Sequence, residues 1–158
     1  MNEYLITLIQ KYKQKGLLID SNILLLYIVG TIDIKRIKDF GRTAVFSEND
    51  FYVVSKFVDY FEVKITTPHI LTETSNLFGN RKTLHAALIT YIELANEIFL
   101  ESRQIANTKT FLQFGLADAA ISETAKDSYL VITDDTELFG YLHNQKVDVI
   151  NLEQIRMI

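Results

Sequence analysis

The sequence predicts a three-layer α/β/α fold with a central, mostly parallel sheet of four to five strands and an extra N-terminal helix. Short, fully apolar runs alternate along the chain with longer segments whose apolar residues recur at helical spacing. Such alternation indicates parallel strands, because parallel neighbours need long crossover connections, which are usually helices. With 158 residues, 48% of them hydrophobic and only one proline, the composition is that of a single domain over residues 1–158.

Residues 1–16 are predicted to form an amphipathic helix ahead of a core that spans residues 17–152. The early Glu3 and the polar Gln10 and Lys11 are unlike a signal peptide, which has a basic start and an uninterrupted apolar centre. The apolar runs near the N-terminus are shorter than the roughly 18 residues that a membrane span needs. The absence of cysteine fits an intracellular protein. We therefore expect a cytoplasmic protein with no membrane partner.

The first half of the core is predicted to carry two strands and four helices. A buried strand over 17–20 is followed by helices over 22–38 and 50–63, the second of which can start in the stretch from Ser47 to Asp50. A very short strand then leads to Thr67, a favoured N-cap, and to Pro68 at the first helical position, where a missing N–H costs nothing. Gly79 and Asn80 end this helix, and a long helix is predicted over 81–98.

The second half of the core is predicted to supply the remaining strands. The segment "IFLES" is a candidate third strand, and the chain around Gly115 leads into a helix over 118–126. "SYLVITDD" has the clearest strand pattern in the chain, and a short helix, "TELFGYLHNQ", follows it. "VDVINL" is the predicted last strand. No repeat or linker divides these elements.

Acidic residues stand where the predicted strands end. Asp20 closes the first strand, and Asp134 and Asp135 close the strand in "LVIT". Ligands of such sheets bind beyond the carboxyl ends of the strands. Glu73, in the predicted helix "PHILTETSNL", and Asp118, in "GLADAAI", lie among apolar neighbours, where an acid needs a partner. The sequence therefore predicts an acidic site at this edge of the sheet.

Each acid also has a purely structural explanation. Asp20 is a good N-cap for the helix after it, and Asp118 is a candidate cap for a helix beginning at Ala119, although no Glu or Gln completes a capping box there. Glu73 fits a surface position. Asp134, with an acid three residues later, fits an acidic variant of the capping box, which leaves Asp135 free for another role.

Taken together, the acids predict a bound cation. Several carboxylates within a few ångströms cannot all stay ionised without compensating charge. No histidine or cysteine is placed to form a zinc site, and ligation by oxygen alone favours Mg²⁺ or Mn²⁺. Such a metal activates water and stabilises the charge that develops on a phosphoryl oxygen, so the expected chemistry is phosphodiester hydrolysis.

Basic residues are grouped even though the formal net charge is −4. The groups are Lys35, Arg36 and Lys38, then Arg81 and Lys82, in addition to a set of lysines near the N-terminus. The net charge argues against a general nucleic-acid coat protein. The groups leave two alternatives open, which are basic binding patches and solvated helix faces.

Four segments, "LLIDSNILL", "TPHILTETSNL", "GLADAAI" and "LVITDDTEL", resemble in order and spacing those of PIN-domain proteins. These are metal-dependent nucleases that include the ribonuclease toxins of bacterial toxin-antitoxin pairs. The resemblance covers nearly the whole chain from Leu17 to Leu152. It implies a PIN-like fold with a catalytic quartet of Asp20, Glu73, Asp118 and Asp135.

The resemblance also implies a role for each residue of the quartet. Asp20, Asp118 and Asp135 would bind Mg²⁺ or Mn²⁺, and Glu73 would position a water or a second ion. The residues that would support them are Asn22 and Thr133, and Asp134 competes with Asp135 as fourth ligand.

The activity implied is endonucleolytic hydrolysis of single-stranded RNA, in a toxin or in another PIN nuclease. The partners implied are the RNA substrate, an antitoxin-like protein and a second copy of the chain in a homodimer. The helix over residues 1–16 departs from the family pattern, and three roles are open for it, namely packing on the sheet, a dimer contact or partner binding. A non-catalytic module of the same fold that binds RNA or a protein is the alternative function.

Overall fold

Five short parallel strands form one sheet in the order β3-β2-β1-β4-β5. The structure is a computed structural model that describes residues 3–157. The strands are β1 (Leu17–Ile19), β2 (Lys64–Thr66), β3 (Asn96–Glu97), β4 (Leu130–Thr133) and β5 (Val149–Asn151). The predicted three-layer α/β/α fold with a central parallel sheet is confirmed.

Eleven α-helices are found in residues 3–157, and none of them is both long and apolar enough to cross a bilayer. In chain order they are α1 (Glu3–Tyr12), α2 (Ser21–Ile32), α3 (Arg36–Asp39), α4 (Glu48–Asp59), α5 (Pro68–Leu77), α6 (Lys82–Leu94), α7 (Ser102–Ala106), α8 (Lys109–Phe114), α9 (Leu116–Ala125), α10 (Thr136–Asn144) and α11 (Leu152–Arg156).

The strand order has a reversal between β1 and β4. From β1 the chain moves outward through β2 to β3, and it then returns past β1 to place β4 and β5 on the other side. Because such crossovers are right-handed, the helices of the first two connections cover one face and those of the last two cover the other. Accordingly α2 contacts α4, α5 and α6, and α9 contacts α7 and α8; α5 and α9 also contact each other. A crevice for a ligand is expected at this reversal, at the carboxyl ends of β1 and β4.

The central strands are buried on both faces. Leu18 of β1 pairs with Ile65 of β2 on one side and with Val131 of β4 on the other, and none of these side chains is more than marginally exposed. Strands in a parallel sheet that is covered by helices are apolar throughout, as these are. One large hydrophobic cluster joins the sheet to the helices on both faces.

The N-terminal helix packs on the core. Leu5, Leu8 and Ile9 of α1 are buried in the main hydrophobic cluster. Tyr12 donates its hydroxyl hydrogen bond to the Asp148 carboxylate at 2.7 Å, and Lys11 pairs with the same carboxylate at 2.6 Å. Of the three roles open for this helix, packing is the one observed, and residues 1 and 2 of the predicted segment lie outside the described residues.

The predicted helix over 22–38 is wrong in its second half. The helix ends at Ile32, Asp33 is extended, and a separate short helix, α3, follows. The Asp33 carboxylate accepts a hydrogen bond from the backbone N–H of Lys35 at 3.0 Å. This local turn competes with helical hydrogen bonding, so the chain changes direction here.

The predicted third strand is displaced. The long helix stops at Leu94, and the strand is formed by Asn96 and Glu97 rather than by "IFLES". Pairing with β2 fixes this position, since Ile65 lies opposite Asn96. Phe99, the most hydrophobic part of the expected strand, is 75% exposed.

Two helix starts match the prediction, and three helices were missed. Thr67 caps α5 with Pro68 at its first position, and Ser47 and Asp50 form a reciprocal capping box at α4. The short helices α7, α8 and α11 were not predicted. The last of these is held by Arg156, whose guanidinium pairs with both oxygens of the Asp50 carboxylate at 2.7 and 3.0 Å.

Replacing Gly30 by Ala should destabilise the protein. A Cβ there would meet the Phe51 ring at 2.2 Å from Cδ2, so the ring must move or α2 must shift. We expect a loss of about 1–3 kcal/mol in the free energy of unfolding, as for other overpacked core positions. Gly140→Ala, in α10, is the matched control because nothing lies within 4 Å of its Cβ.

Urea unfolding of the two variants measures this difference. Gly140→Ala should gain roughly 0.5–1 kcal/mol from helix propensity. A Gly30→Ala variant as stable as the wild type would show that the close packing of α2 against Phe51 is wrong.

Candidate functional site

Asp20 occupies the crevice between β1 and β4. Its backbone N–H continues the β1–β4 ladder by donating to the Ile132 carbonyl at 3.0 Å. One carboxylate oxygen accepts from the Ser21 backbone N–H and the other from the Thr133 hydroxyl, each at 2.6 Å. Asp20 is therefore the N-cap of α2, as its structural explanation required, and only 5% of it is exposed.

The cap leaves the charge of Asp20 uncompensated. Burial raises the pKa of its carboxyl group to about 7, and the nearby Asp118 and Asp134 carboxylates add to this. The hydrogen bonds from Thr133 and Ser21 act in the opposite direction but do not offset the burial. An acid used only as a helix cap does not need other acids beside it.

Asp118 is not a helix cap. The helix α9 begins two residues earlier, at Leu116, after Gly115 with a φ of +91° that favours glycine. Asp118 lies in its first turn, so the structural explanation of a cap at Ala119 is wrong. Burial raises the pKa of the Asp118 carboxyl group to about 7, with further contributions from Glu73 and Asp135.

Glu73 reaches the same region from α5. Its Oε2 accepts a hydrogen bond from the Ser21 hydroxyl at 2.7 Å. Ser21 thus links two predicted site residues, because its backbone N–H donates to Asp20. Glu73 is exposed, as its structural explanation required, but the hydrogen bond from the Ser21 hydroxyl holds it in one orientation.

The expected division of roles between Asp134 and Asp135 is wrong. Asp135, rather than Asp134, caps α10, and its Oδ1 accepts the backbone N–H groups of Glu137 and Leu138 at 2.8 and 2.9 Å. Asp134 is half-buried, and its Oδ1 has no hydrogen-bond partner within residues 3–157. Burial raises the pKa of the Asp134 carboxyl group, while the Asn22 side chain and, more weakly, Arg156 lower it.

The two predicted supporting residues each contact an acid. Asn22 interacts with Asp134. The Thr133 hydroxyl donates to Asp20 and accepts from the backbone N–H of Asp135 at 3.0 Å, so it joins the ends of β1 and β4. The carboxylate that Thr133 contacts is therefore that of Asp20 and not the expected fourth ligand.

A shallow groove of about 580 Å³ adjoins the acids between α5 and α9. Glu73 and Asn76 line one wall, and Leu116 and Ala117, which directly precede Asp118, line the other. His69 is also in the lining, and its Nε2 lies 3.4 Å from the Ser102 hydroxyl. Among the predicted acids, Glu73 is the one that lines the groove in the described residues.

The oxygen donors of the site suit a hard divalent cation, but the acidic side chains of the described residues lie too far apart to bind one together. The acids are all oxygen donors, neighbouring acids add to the raised pKa of Asp20 and of Asp118, and none of the acids forms an ion pair with a Lys or Arg in the part of the chain that the structure describes. Yet no three Asp, Glu or His side chains among residues 3–157 are close enough together to hold a metal ion as they stand. Asp20, Glu73 and Asp135 are instead engaged in hydrogen bonds within the protein.

Sequence reasoning missed two contributors. Ser21 was overlooked because its contact with Glu73 joins residues 52 positions apart, and no local pattern marks such a pair. The adjacent "DSN" polar run was the signal that could have drawn attention to it. No local pattern marks His69 either, because its place in the groove follows from the packing of α5 against α9.

Comparisons of the chain with protein-family models, with curated proteins and with solved structures gave no match.

Proposed function

We propose that this protein is a PIN-domain-like endoribonuclease that hydrolyses single-stranded RNA with Mg²⁺ or Mn²⁺. One observation carries the proposal. Asp20 and Asp118, contributed by different elements, both have a carboxyl pKa raised to about 7 by burial and by other acids of the same crevice. A buried set of mutually repelling carboxylates is costly for stability and is typical of sites that take up a cation.

The residues that would hold the metal are Asp20 and Asp118, with Asp134 or Asp135 as a further ligand. Asp134 is favoured over Asp135, because one Asp135 oxygen already accepts two backbone hydrogen bonds while Asp134 has a buried oxygen without a partner in the described residues. A bound divalent ion supplies Lewis-acid activation of the phosphoryl group and of a water.

The chain itself orients the acids. Thr133 and the Ser21 backbone fix both oxygens of Asp20, and the Ser21 hydroxyl fixes Glu73. The groove beside them would seat the RNA backbone so that a phosphodiester bond lies at the carboxylates. Positioning of this kind contributes strongly to rate, because the reacting groups are held in place before reaction.

A non-catalytic module that binds RNA or a protein is the second candidate. It is favoured by the capping hydrogen bonds of Asp20 and Asp135 and by the open spacing of the acids in residues 3–157. The toxin role, the antitoxin-like partner and the homodimer stay predictions from the sequence.

Metal-dependent RNA cleavage is the test. Purified protein incubated with a labelled pool of single-stranded RNA should cut it with Mg²⁺ or Mn²⁺ and should not cut it in EDTA. The products should carry 5′-phosphate and 3′-hydroxyl ends, because the attacking group would be water. Cyclic 2′,3′-phosphate ends in EDTA would instead point to metal-free cleavage, and intact RNA in every condition would favour the non-catalytic module.

A further inference from the structure

Two of the three basic groups of the sequence meet at one pocket. This pocket of about 270 Å³ is lined by Val29, Arg36, Asp39, Phe40, Arg81 and Leu84. Arg36 and Arg81 are 45 positions apart in the chain, so only the packing of α2 against α3 and α6 brings them together. Of the two alternatives left open for these groups, a binding patch is the one that a shared cavity favours.

Arg81 is held in position without a carboxylate. Its Cζ lies 4.5 Å from the centroid of the Phe40 ring, and its Nη1 donates to the Phe78 carbonyl at 3.3 Å. No ion pair involves Arg81 in the part of the chain that the structure describes. A guanidinium stacked on an aromatic ring retains free N–H donors in its plane, which is the arrangement that suits phosphate.

Arg36 is only weakly paired. Its Nε lies 3.7 Å from the Asp33 carboxylate, and both side chains are about half exposed to water. A long, solvated ion pair of this kind contributes little and is readily exchanged for a stronger anion. Two oxygens of a phosphate group can accept two parallel hydrogen bonds from the guanidinium, so Arg36 would gain by turning to it.

The charge around the pocket is positive in an acidic chain. Residues 33–43 carry four basic and two acidic side chains, and Lys82 follows Arg81 directly. Asp39, in the lining, lowers this charge without reversing it. The formal net charge of the whole chain is −4, so the excess of cations here is local. A local positive patch attracts polyanions even when the protein as a whole repels them.

The pocket and the acidic site share helix α2. Val29, in its lining, is eight residues along α2 from Ser21, which at 1.5 Å per residue is about 12 Å. Arg81 follows the end of α5, the helix that carries Glu73. A few nucleotides would span this separation.

We propose that Arg36 and Arg81 form a phosphate-binding pocket for the backbone of the single-stranded RNA whose scissile bond lies at the acidic site. The inference rests on the proposed function for its substrate. The concave shape and the stacked guanidinium favour a strand with discrete phosphates over a flat anionic surface. The pocket supplies affinity and register, and it takes no part in bond cleavage.

Binding of a short labelled single-stranded RNA in EDTA, followed by fluorescence anisotropy, tests the pocket without requiring cleavage. Arg36→Gln and Arg81→Gln should each weaken binding about 3- to 10-fold near 0.1 M salt. Each should also reduce the slope of log affinity against log salt by about 0.7, the value for one lost phosphate contact to a single strand. Arg81→Lys, which keeps the charge, should recover part of the affinity.

Lys13→Gln is the matched control, because it removes one exposed cation that does not line the pocket. Equal affinity and salt slope in both Arg variants and the wild type, or no RNA binding by the wild type, would overturn the pocket. A third outcome would favour a free phosphate over an RNA strand as the ligand of the pocket. In that outcome Arg81→Gln binds RNA as tightly as the wild type does, but inorganic phosphate no longer competes with the RNA.

The same preparations separate this proposal from the nuclease proposal. Arginine-dependent RNA binding without cleavage in Mg²⁺ or Mn²⁺ would overturn the nuclease and support the pocket. Metal-dependent cleavage, together with an RNA affinity that neither Arg substitution changes, would overturn the pocket proposal and leave the nuclease proposal in place.

Discussion

The Asp118→Asn variant is expected to lose roughly 100-fold or more of its RNA-cleavage rate in Mg²⁺ while keeping its fold. The substitution removes a negative charge from the group that would hold the cation and keeps the size of the side chain. Loss of a residue that merely orients a metal ligand typically costs about 10- to 100-fold, so loss of a ligand should cost at least as much. Single-turnover cleavage of labelled RNA, with far-ultraviolet circular dichroism as the test of folding, measures both.

Asp127→Asn is the matched control for this variant. Asp127 is exposed, lies just before β4 at the opposite end of the strand from Asp134, and has a φ of +56° that asparagine tolerates well. Its cleavage rate should equal that of the wild type. An Asp118→Asn protein with undiminished activity would remove Asp118 from the site and would contradict the nuclease proposal as it stands.

The metal-free protein is expected to lose stability as pH rises from about 5 to about 8. In the folded chain Asp20 and Asp118 hold their protons up to a pKa of about 7, whereas the ordinary value is 3.8. Between these values the folded state binds more protons than the unfolded state, so the free energy of unfolding falls with rising pH and levels off above the folded pKa. A rise of this size at the buried Asp20 corresponds to at most about 4 kcal/mol.

Other acids act outside this range. Asp50 and Asp148 have pKa values lowered below 3.8 by their hydrogen bonds with Arg156 and with Lys11 and Tyr12. The stability they contribute is lost only as pH falls below about 4. The decline between pH 5 and 8 therefore reports the acids whose pKa is raised, which are Asp20, Asp118 and Asp134.

Thermal unfolding in EDTA across this pH range measures the decline. Asp118→Asn should unfold at a higher temperature than the wild type at pH 8, because it removes an uncompensated charge, and its pH dependence should be shallower. Added Mg²⁺ should raise the unfolding temperature of the wild type most at high pH, since the cation binds the ionised form. A wild-type protein whose stability is flat or rises from pH 5 to 8 would show that the carboxylates are not coupled as described.

The sheet was predictable because its strands are marked locally. Leu17 to Ile19 and Leu130 to Thr133 are short apolar runs that end on acids, and both lie in the middle of the sheet, where burial on two faces demands such runs. The third strand was misplaced because Asn96 and Glu97 have no strand-forming character of their own. Their position is set by pairing with β2, a long-range contact that hydrophobicity does not record.

The elements that carry the candidate site residues were predictable, and the hydrogen bonds of those residues were not. The sequence places Asp20, Glu73 and Asp118 in the right elements, because strand ends and helix starts have local signatures. It does not determine which of Asp134 and Asp135 caps α10, since both stand next to the helix start and each has a suitable acid or backbone partner downstream. The structure decides the matter through the turn after β4, where the Thr133 hydroxyl accepts from Asp135.

The pairing of β1 with β4 also sets when the acidic crevice can exist during synthesis. Thr133, which holds Asp20, follows it by 113 positions, and β4 completes the centre of the sheet. At about 5–20 residues per second a ribosome needs roughly 6 to 23 s to cover that stretch of chain. A nascent chain that has already exposed Asp20 therefore lacks the second half of the crevice until β4 has been synthesised, and fragments that stop before β4 cannot assemble it.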